Sequence, residues 1–210
     1  VKPSVEFKHL SGSRIASSTE VENPSYGVFI EELRGHGVLV FDADEAIRQA
    51  RQTTEGPFYL ATDTHWRPET VELVARQLAS FIETTVQLVP ENSTPLESHD
   101  VEITNYGDTV RLLGLGPGRW LFPSETVRTR RVEPVAGTRW QPDQNAAILL
   151  LGDSFTNVYS LETMGWGESA GLAEQLSLEI GRSIDRISQN DDGAHASREL
   201  LATELRRGRD

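Results

Sequence analysis

The clearest periodicity in the chain lies between residues 68 and 84, where Val71, Val74, Ala75, Leu78 and Ile82 recur at i, i+3, i+4, i+7 and i+11. That spacing places them on one stripe of a helix and leaves the polar residues on the remaining surface. Pro68 suits a first helical turn, where its missing N–H is not needed, and Glu69 complements the positive end of the helix dipole. Upstream, "PSYGVFIEELRGHG" predicts a helix closed by Gly35 or Gly37, and "VLVFD" (38–42) a short buried strand. "ADEAIRQARQ" predicts another helix and "PFYLA" (57–61) a second strand, while the Ser-rich first 25 residues predict loop with a short helix. From about 90 to 143 the pattern breaks into short runs punctuated by Gly and Pro, as in "VRLLGLGPGRWLFP" and "ETVRTRRVEPV", and predicts an irregular β insertion.

Downstream, "AAILLL" (146–151) is the strongest strand signal in the chain. "GESAGLAEQLSLEIG" follows as a helix with Leu172, Leu176 and Ile180 on one stripe and Gly181 at its end. "SIDRIS" predicts a further strand and 195–207 a final helix. Strands alternating with helices of this length argue for an α/β layered domain with a mainly parallel sheet. At 210 residues and 37% hydrophobic content, the chain suits a single domain over 1–210 with its β-rich insertion at about 90–143.

Charge and composition narrow the function. A formal net charge of −12 repels phosphate backbones, which argues against nucleic acid and disfavours an anionic membrane surface. The absence of Cys removes disulfides, thiolate catalysis and Cys-based metal sites together. No apolar run approaches the roughly 20 residues of a spanning helix. Val1 opens no signal-peptide pattern and is not Met, so the expectation is a processed or excised piece of a longer chain.

Two stretches carry chemistry. In "ILLLGDSFTN" a buried strand runs into Gly152-Asp153-Ser154, and the rim past the carboxyl end of a parallel strand is where α/β sheets place their ligands. A serine there is either a nucleophile awaiting a base or a turn residue satisfying backbone groups. In "YLATDTHWRP", Asp63 and His65 lie two residues apart, and in extended backbone such residues point the same way. Asp63 can then accept the imidazole Nδ1–H and leave Nε2 free as a base. The same pair could instead be two ligands of a zinc or iron site, but His9, His36, His99 and His195 sit in no recognisable partner motif, and a surface loop with an N-cap Asp remains open too.

Taken together, "TDTHW" upstream and "LLLGDSF" downstream resemble the SGNH-like domain of the AlgJ/AlgX alginate O-acetyltransferase family. In the wider SGNH hydrolase superfamily the serine comes first and an Asp-x-x-His comes late; here the order is reversed and the spacing is Asp-x-His. The resemblance extends through "GVLVFD", "GWGESAGLAEQL" and "RISQNDDGA", from about residue 24 onward. It implies an SGNH hydrolase-like three-layer fold and acyl transfer through an acetyl-serine, with no cofactor and no metal. By that resemblance Ser154 is the nucleophile, His65 the general base and later acid, and Asp63 the residue orienting the imidazole. The Ser154 backbone N–H is the first expected oxyanion donor. Asn190 is the candidate second, weighed against a turn or helix-capping role because the usual Gly-x-Asn-Asp block is missing. Asp153 is expected to brace the serine loop.

Trp66 is a candidate stacking floor for a sugar, whereas Trp166 is expected in the core. Arg128, Arg130 and Arg131 could meet an acidic glycan but are expected on a solvent-facing strand, and a charge of −12 sits badly with a polyuronate acceptor. The resemblance further implies a polysaccharide acceptor, an acetyl donor supplied by a membrane acyltransferase partner, and a periplasmic location with an inner-membrane anchor outside this chain. It would place a strand just before "VKPSV" and another after "RGRD", so the expectation is a domain cut at both ends. Hydrolysis by a close acetylesterase relative, a non-catalytic carbohydrate-binding or scaffold component of an acetylation complex, and an Asp63/His65 metalloenzyme are the competing readings.

Overall fold

The structure is a computed structural model that describes residues 23–91, 93–114, 121–137 and 139–207. The expectations for the first 22 residues, including His9, and for the centre of "VRLLGLGPGRWLFP" lie outside the described residues.

Helix α1 (Tyr26–Gly35) leads into an extended stretch and then α2 (Ala43–Ala50), whose first turn is capped by the Asp42 carboxylate accepting from Asp44 N and Glu45 N. The expected strand at 38–42 does not form. Val38 and Leu39 are exposed, no described segment pairs with them, and Asp42 is committed to the cap. The expected strand at 57–61 is also absent as a ladder: Tyr59 makes one antiparallel bridge to Trp66. Leu60 N donates to His65 O and Arg67 N to Phe58 O, so this backbone is satisfied by the chain that immediately follows it.

Helix α3 (Pro68–Thr85) matches its periodicity. Val71, Val74 and Ala75 are buried, joined by Ala79, while Leu78 and Ile82 pack at the edge. Strands β1 (Leu96–Asn105) and β2 (Glu125–Pro134) flank α4 (Asp108–Leu112) and pair antiparallel, from Leu96↔Pro134 to Asn105↔Glu125. The irregular β segment expected here is therefore a continuous ladder. Its register was masked in the sequence by charged outward positions, such as Asp100 facing Arg130 and Glu102 facing Arg128.

β3 (Leu149–Gly152) is followed by the short α5 (Ser154–Asn157), a 3₁₀ turn (Glu162–Met164), α6 (Leu172–Ile180), β4 (Asp185–Ser188) and α7 (Gly193–Arg206). β3 and β4 pair in parallel, which requires the intervening helices as a crossover. Gly181 ends α6 in the left-handed conformation at φ 66°. The α/β character is as expected, but among the described residues parallel pairing is confined to β3–β4. A mainly parallel sheet is not what these residues form, because 38–42 and 57–61 stay outside any ladder.

α3 joins two core clusters. Val71 and Val74 meet Leu60, Trp66, Tyr159 and Trp166; Ala75 and Ala79 meet Val132, Trp140, Leu176 and Ile184. The first cluster lies directly beneath the candidate site. Among the described residues no helix is long and apolar enough to cross a membrane.

Candidate active site

Residues 61–65 form a run of bends rather than extended strand. The Asp63–His65 pairing is made by the turn itself: Asp63 Oδ1 accepts both the His65 backbone N–H (3.1 Å) and Nδ1 (2.6 Å). Asp63 Oδ2 accepts Trp166 Nε1–H (2.8 Å) and the Asp108 backbone N–H (2.9 Å). Asp63 is 3% exposed and His65 5%. Burial alone would push the Asp63 carboxyl upward, but the bonds from His65, Trp166 and Asp108 outweigh it and hold the group well below the usual carboxylate range. With Nδ1 turned to a carboxylate, His65 Nε2 is left buried and without a hydrogen-bond partner.

The serine side is braced in a matching way. Asp153 accepts from Phe155 N (2.9 Å), as expected of the residue supporting the loop. Gly152 O accepts from Gln189 N and from the Ser197 hydroxyl. Asn157 is buried; its Nδ2 donates to Asn190 Oδ1 (2.8 Å) and its Oδ1 accepts from the Ser188 hydroxyl (2.6 Å). Ser154 itself is half-buried, and its backbone N–H has no acceptor among the described residues.

The two motifs meet through Trp66, Phe155 and Tyr159. Trp66 Nε1–H donates to Phe155 O (3.1 Å), the Phe155 ring sits 4.9 Å from the His65 ring centroid, and Tyr159 Oη–H donates to Trp66 O (2.7 Å). Phe155 follows Ser154 directly, so this contact brings the serine turn alongside the imidazole. No hydrogen bond joins Ser154 to His65 Nε2. Such contacts are commonly loose without substrate and tighten during reaction.

Asp63, His65 and Asp108 have ligand-type atoms within 4.8 Å of one another, so the third ligand that the metal reading lacked does exist in space. The geometry is nonetheless that of shared protons. Two ligands about 2.0–2.2 Å from a tetrahedral zinc lie roughly 3.3 Å apart, whereas Asp63 Oδ1 and His65 Nδ1 are 2.6 Å apart. Both Asp108 oxygens also accept protons, from Thr64 N (2.8 Å) and Thr64 Oγ1 (2.6 Å).

Comparison with known proteins then decides the family. The family model described as an SGNH hydrolase-like domain, acetyltransferase AlgX, matches residues 2–207. The chain belongs to that family. Two curated relatives are probable alginate O-acetylases AlgJ. The one from Pseudomonas syringae pv. tomato is 28% identical over 141 residues, and the one from Pseudomonas aeruginosa 26% over 170. These alignments cover 62% and 80% of this chain but 35% and 43% of those proteins, so the chain spans well under half their length. Among solved structures, the O-acetyltransferase domain of Pseudomonas putida AlgJ superposes with a TM-score of 0.64 at 20% identity, covering 87% of this chain and 61% of that one. Pseudomonas aeruginosa AlgX gives 0.50 at 20% identity, covering 79% and 35%.

Within this SGNH hydrolase-like fold, the remaining candidates fall out differently. Trp66 offers no stacking floor: it is 8% exposed and spends its N–H on Phe155, so it is a strut between the motifs. Trp166 is core, as expected, yet it also donates to Asp63, a role periodicity does not reveal. Asn190 does not cap α7, whose N-cap is Asp192; its carboxamide oxygen is taken by Asn157. Arg128 is exposed and paired with Asp100, Arg130 pairs with Glu179, and Arg131 with Glu133 and Glu168. Asp108 escaped sequence reasoning altogether, since an acidic residue after a Gly in a loop has no distinguishing spacing.

Proposed function

We propose that this chain carries out serine-dependent O-acetyl transfer to a polysaccharide, or the closely related acetyl-ester hydrolysis, through an acetyl-Ser154 intermediate. The observation that supports it is the protonation geometry of His65. Nδ1 is bound to a buried, ionised Asp63 while Nε2 is buried and unpartnered beside the Ser154 turn. That is the arrangement a general base needs.

In this reading His65 Nε2 takes the Ser154 hydroxyl proton as Oγ attacks the acetyl carbonyl carbon. The carbonyl oxygen becomes an oxyanion, for which the Ser154 backbone N–H is the proposed first donor and Asn190 the candidate second. Collapse breaks the bond to the donor's alkoxide, which leaves with the proton from His65. An acceptor hydroxyl then attacks the acetyl carbon, gives its proton to His65, and Ser154 departs and recovers that proton. Asp63 stays ionised throughout and balances the imidazolium. Transfer wins over hydrolysis where water is excluded from the acyl-serine.

The relatives' names specify alginate, but the acceptor class proposed for this chain is an exported polysaccharide without commitment to a polyuronate. The ion-paired arginines of β2 leave a strongly anionic acceptor without free cations on that strand. A membrane acyltransferase as acetyl source and a periplasmic site of action follow from the same family reading.

The test is Ser154→Ala against wild type, with an aryl acetate as donor and with neutral and uronate oligosaccharides as acceptors. Activity lost with folding intact supports the triad. Wild-type protein that neither turns over the ester nor labels with a serine-directed phosphonate would instead support the non-catalytic scaffold, and chelator-sensitive activity the metalloenzyme.

A further inference from the structure

The Asp63–His65 turn is gripped from outside by one residue of α4. Asp108 accepts the Thr64 N–H on Oδ1 and the Thr64 hydroxyl on Oδ2, while its own N–H donates to Asp63 Oδ2. Thr64 is the residue between the acid and the base, so Asp108 fixes the acid and the linker at once. Its Oδ2 also lies 4.0 Å from His65 Nδ1. The close approach depends on Gly107. A Cβ there would lie 2.1 Å from Thr62 O and 2.5 Å from Asp63 Cβ, far inside contact, and the Gly107 N–H donates to Thr62 Oγ1 (3.2 Å).

This grip has a specific consequence for the imidazole. Besides the Asp63 carboxylate, the Thr64 hydroxyl also lies within reach of the imidazole, with Oγ1 3.4 Å from His65 Nδ1. With its proton donated to Asp108, the hydroxyl cannot offer that proton to Nδ1, and Asp63 remains the acceptor of Nδ1–H. The backbone bond at Thr64 N keeps the 61–65 bends from swinging outward and carrying Nε2 away from the Ser154 turn.

We propose that Asp108, seated by Gly107, is a positioning residue for the His65 base. Its effect on turnover rests on the acyl-transfer reading above; its effect on the imidazole does not. The experiment therefore has two readouts on purified full-chain variants. One is kcat and KM on a nitrophenyl acetate ester. The other is the downfield proton resonance of a histidine Nδ1–H bonded to a carboxylate, assigned by its loss in Asp63→Asn.

Asp108→Ala is expected to lower kcat about 10- to 100-fold, the scale of a misplaced catalytic group, with KM within about threefold and the resonance broadened or lost. Asp108→Asn keeps an acceptor for Thr64 N–H but turns an N–H donor toward the Thr64 hydroxyl, so its turnover and resonance are expected to fall between wild type and Asp108→Ala. Should Asp108→Ala fail to fold, Thr64→Ala removes only the hydroxyl arm and should still lower kcat about threefold or more. An Asp108→Ala protein with kcat within twofold of wild type and an intact resonance overturns the proposal, as does Asp108→Asn behaving like Asp108→Ala. If the wild type turns over no ester, the acyl-transfer reading fails by itself, and the resonance in the Ala and Asn variants still decides the positioning role.

Discussion

Replacing Trp166 by Phe tests how the buried acid is held. The substitution keeps an aromatic ring in the core but deletes the Nε1–H that reaches Asp63 Oδ2 at 2.8 Å. Trp166 is 1% exposed and Asp63 3%, so water has little access to replace the lost donor. Hydrogen bonds to charged groups contribute about 1.5–3 kcal/mol each, and the smaller ring leaves a hole worth roughly another 1 kcal/mol. For a domain of this size each kcal/mol moves Tm by about 2–4 °C, so the expected drop is roughly 5–15 °C. A double-mutant cycle with Asp63→Asn, measured by urea unfolding at pH 7, isolates the hydrogen bond from the hole. Coupling of about 1.5–3 kcal/mol is expected. A value below about 0.5 kcal/mol would mean that the indole N–H contributes nothing to holding the carboxylate, and the account of Asp63 would be wrong.

Asp63 also sets a pH signature. Its carboxyl is held below the ordinary range in the folded protein, so its contribution is fully present above the unfolded value of about 3.9 and is lost as pH falls through the folded value. The stability gap between wild type and Asp63→Asn should be widest near pH 7 and narrow from about pH 4 downward; an unchanged gap at pH 2.5 in urea titrations refutes this. At the serine turn, a Cβ on Gly152 would lie 2.1 Å from Thr156 Oγ1 and 2.7 Å from Thr156 Cβ. Because Cβ cannot rotate away, Gly152→Ala should cost about 1–3 kcal/mol, read by the same unfolding assay, and a neutral result would show that β3 and α5 separate easily.

The sequence alone determined the longer helices and the two candidate motifs, because those signals are local. The stripe of Val71, Val74 and Ala75 needs only a 3.6-residue repeat, and the Asp63–His65 pairing needs only a turn in which a carboxylate reaches two residues on. Gly152-Asp153-Ser154 likewise carries its own cap. Tertiary structure decided everything that depends on a partner far along the chain. "VLVFD" has the composition of a strand, but strands exist only in ladders, and no described neighbour pairs with it. Trp66 reads as a sugar platform until Phe155 takes its N–H, and Trp166 reads as plain core until Asp63 is found beneath it. Asp108 carries no signal at all in sequence: its meaning comes from a backbone approach that Gly107 allows, across a separation no local pattern encodes.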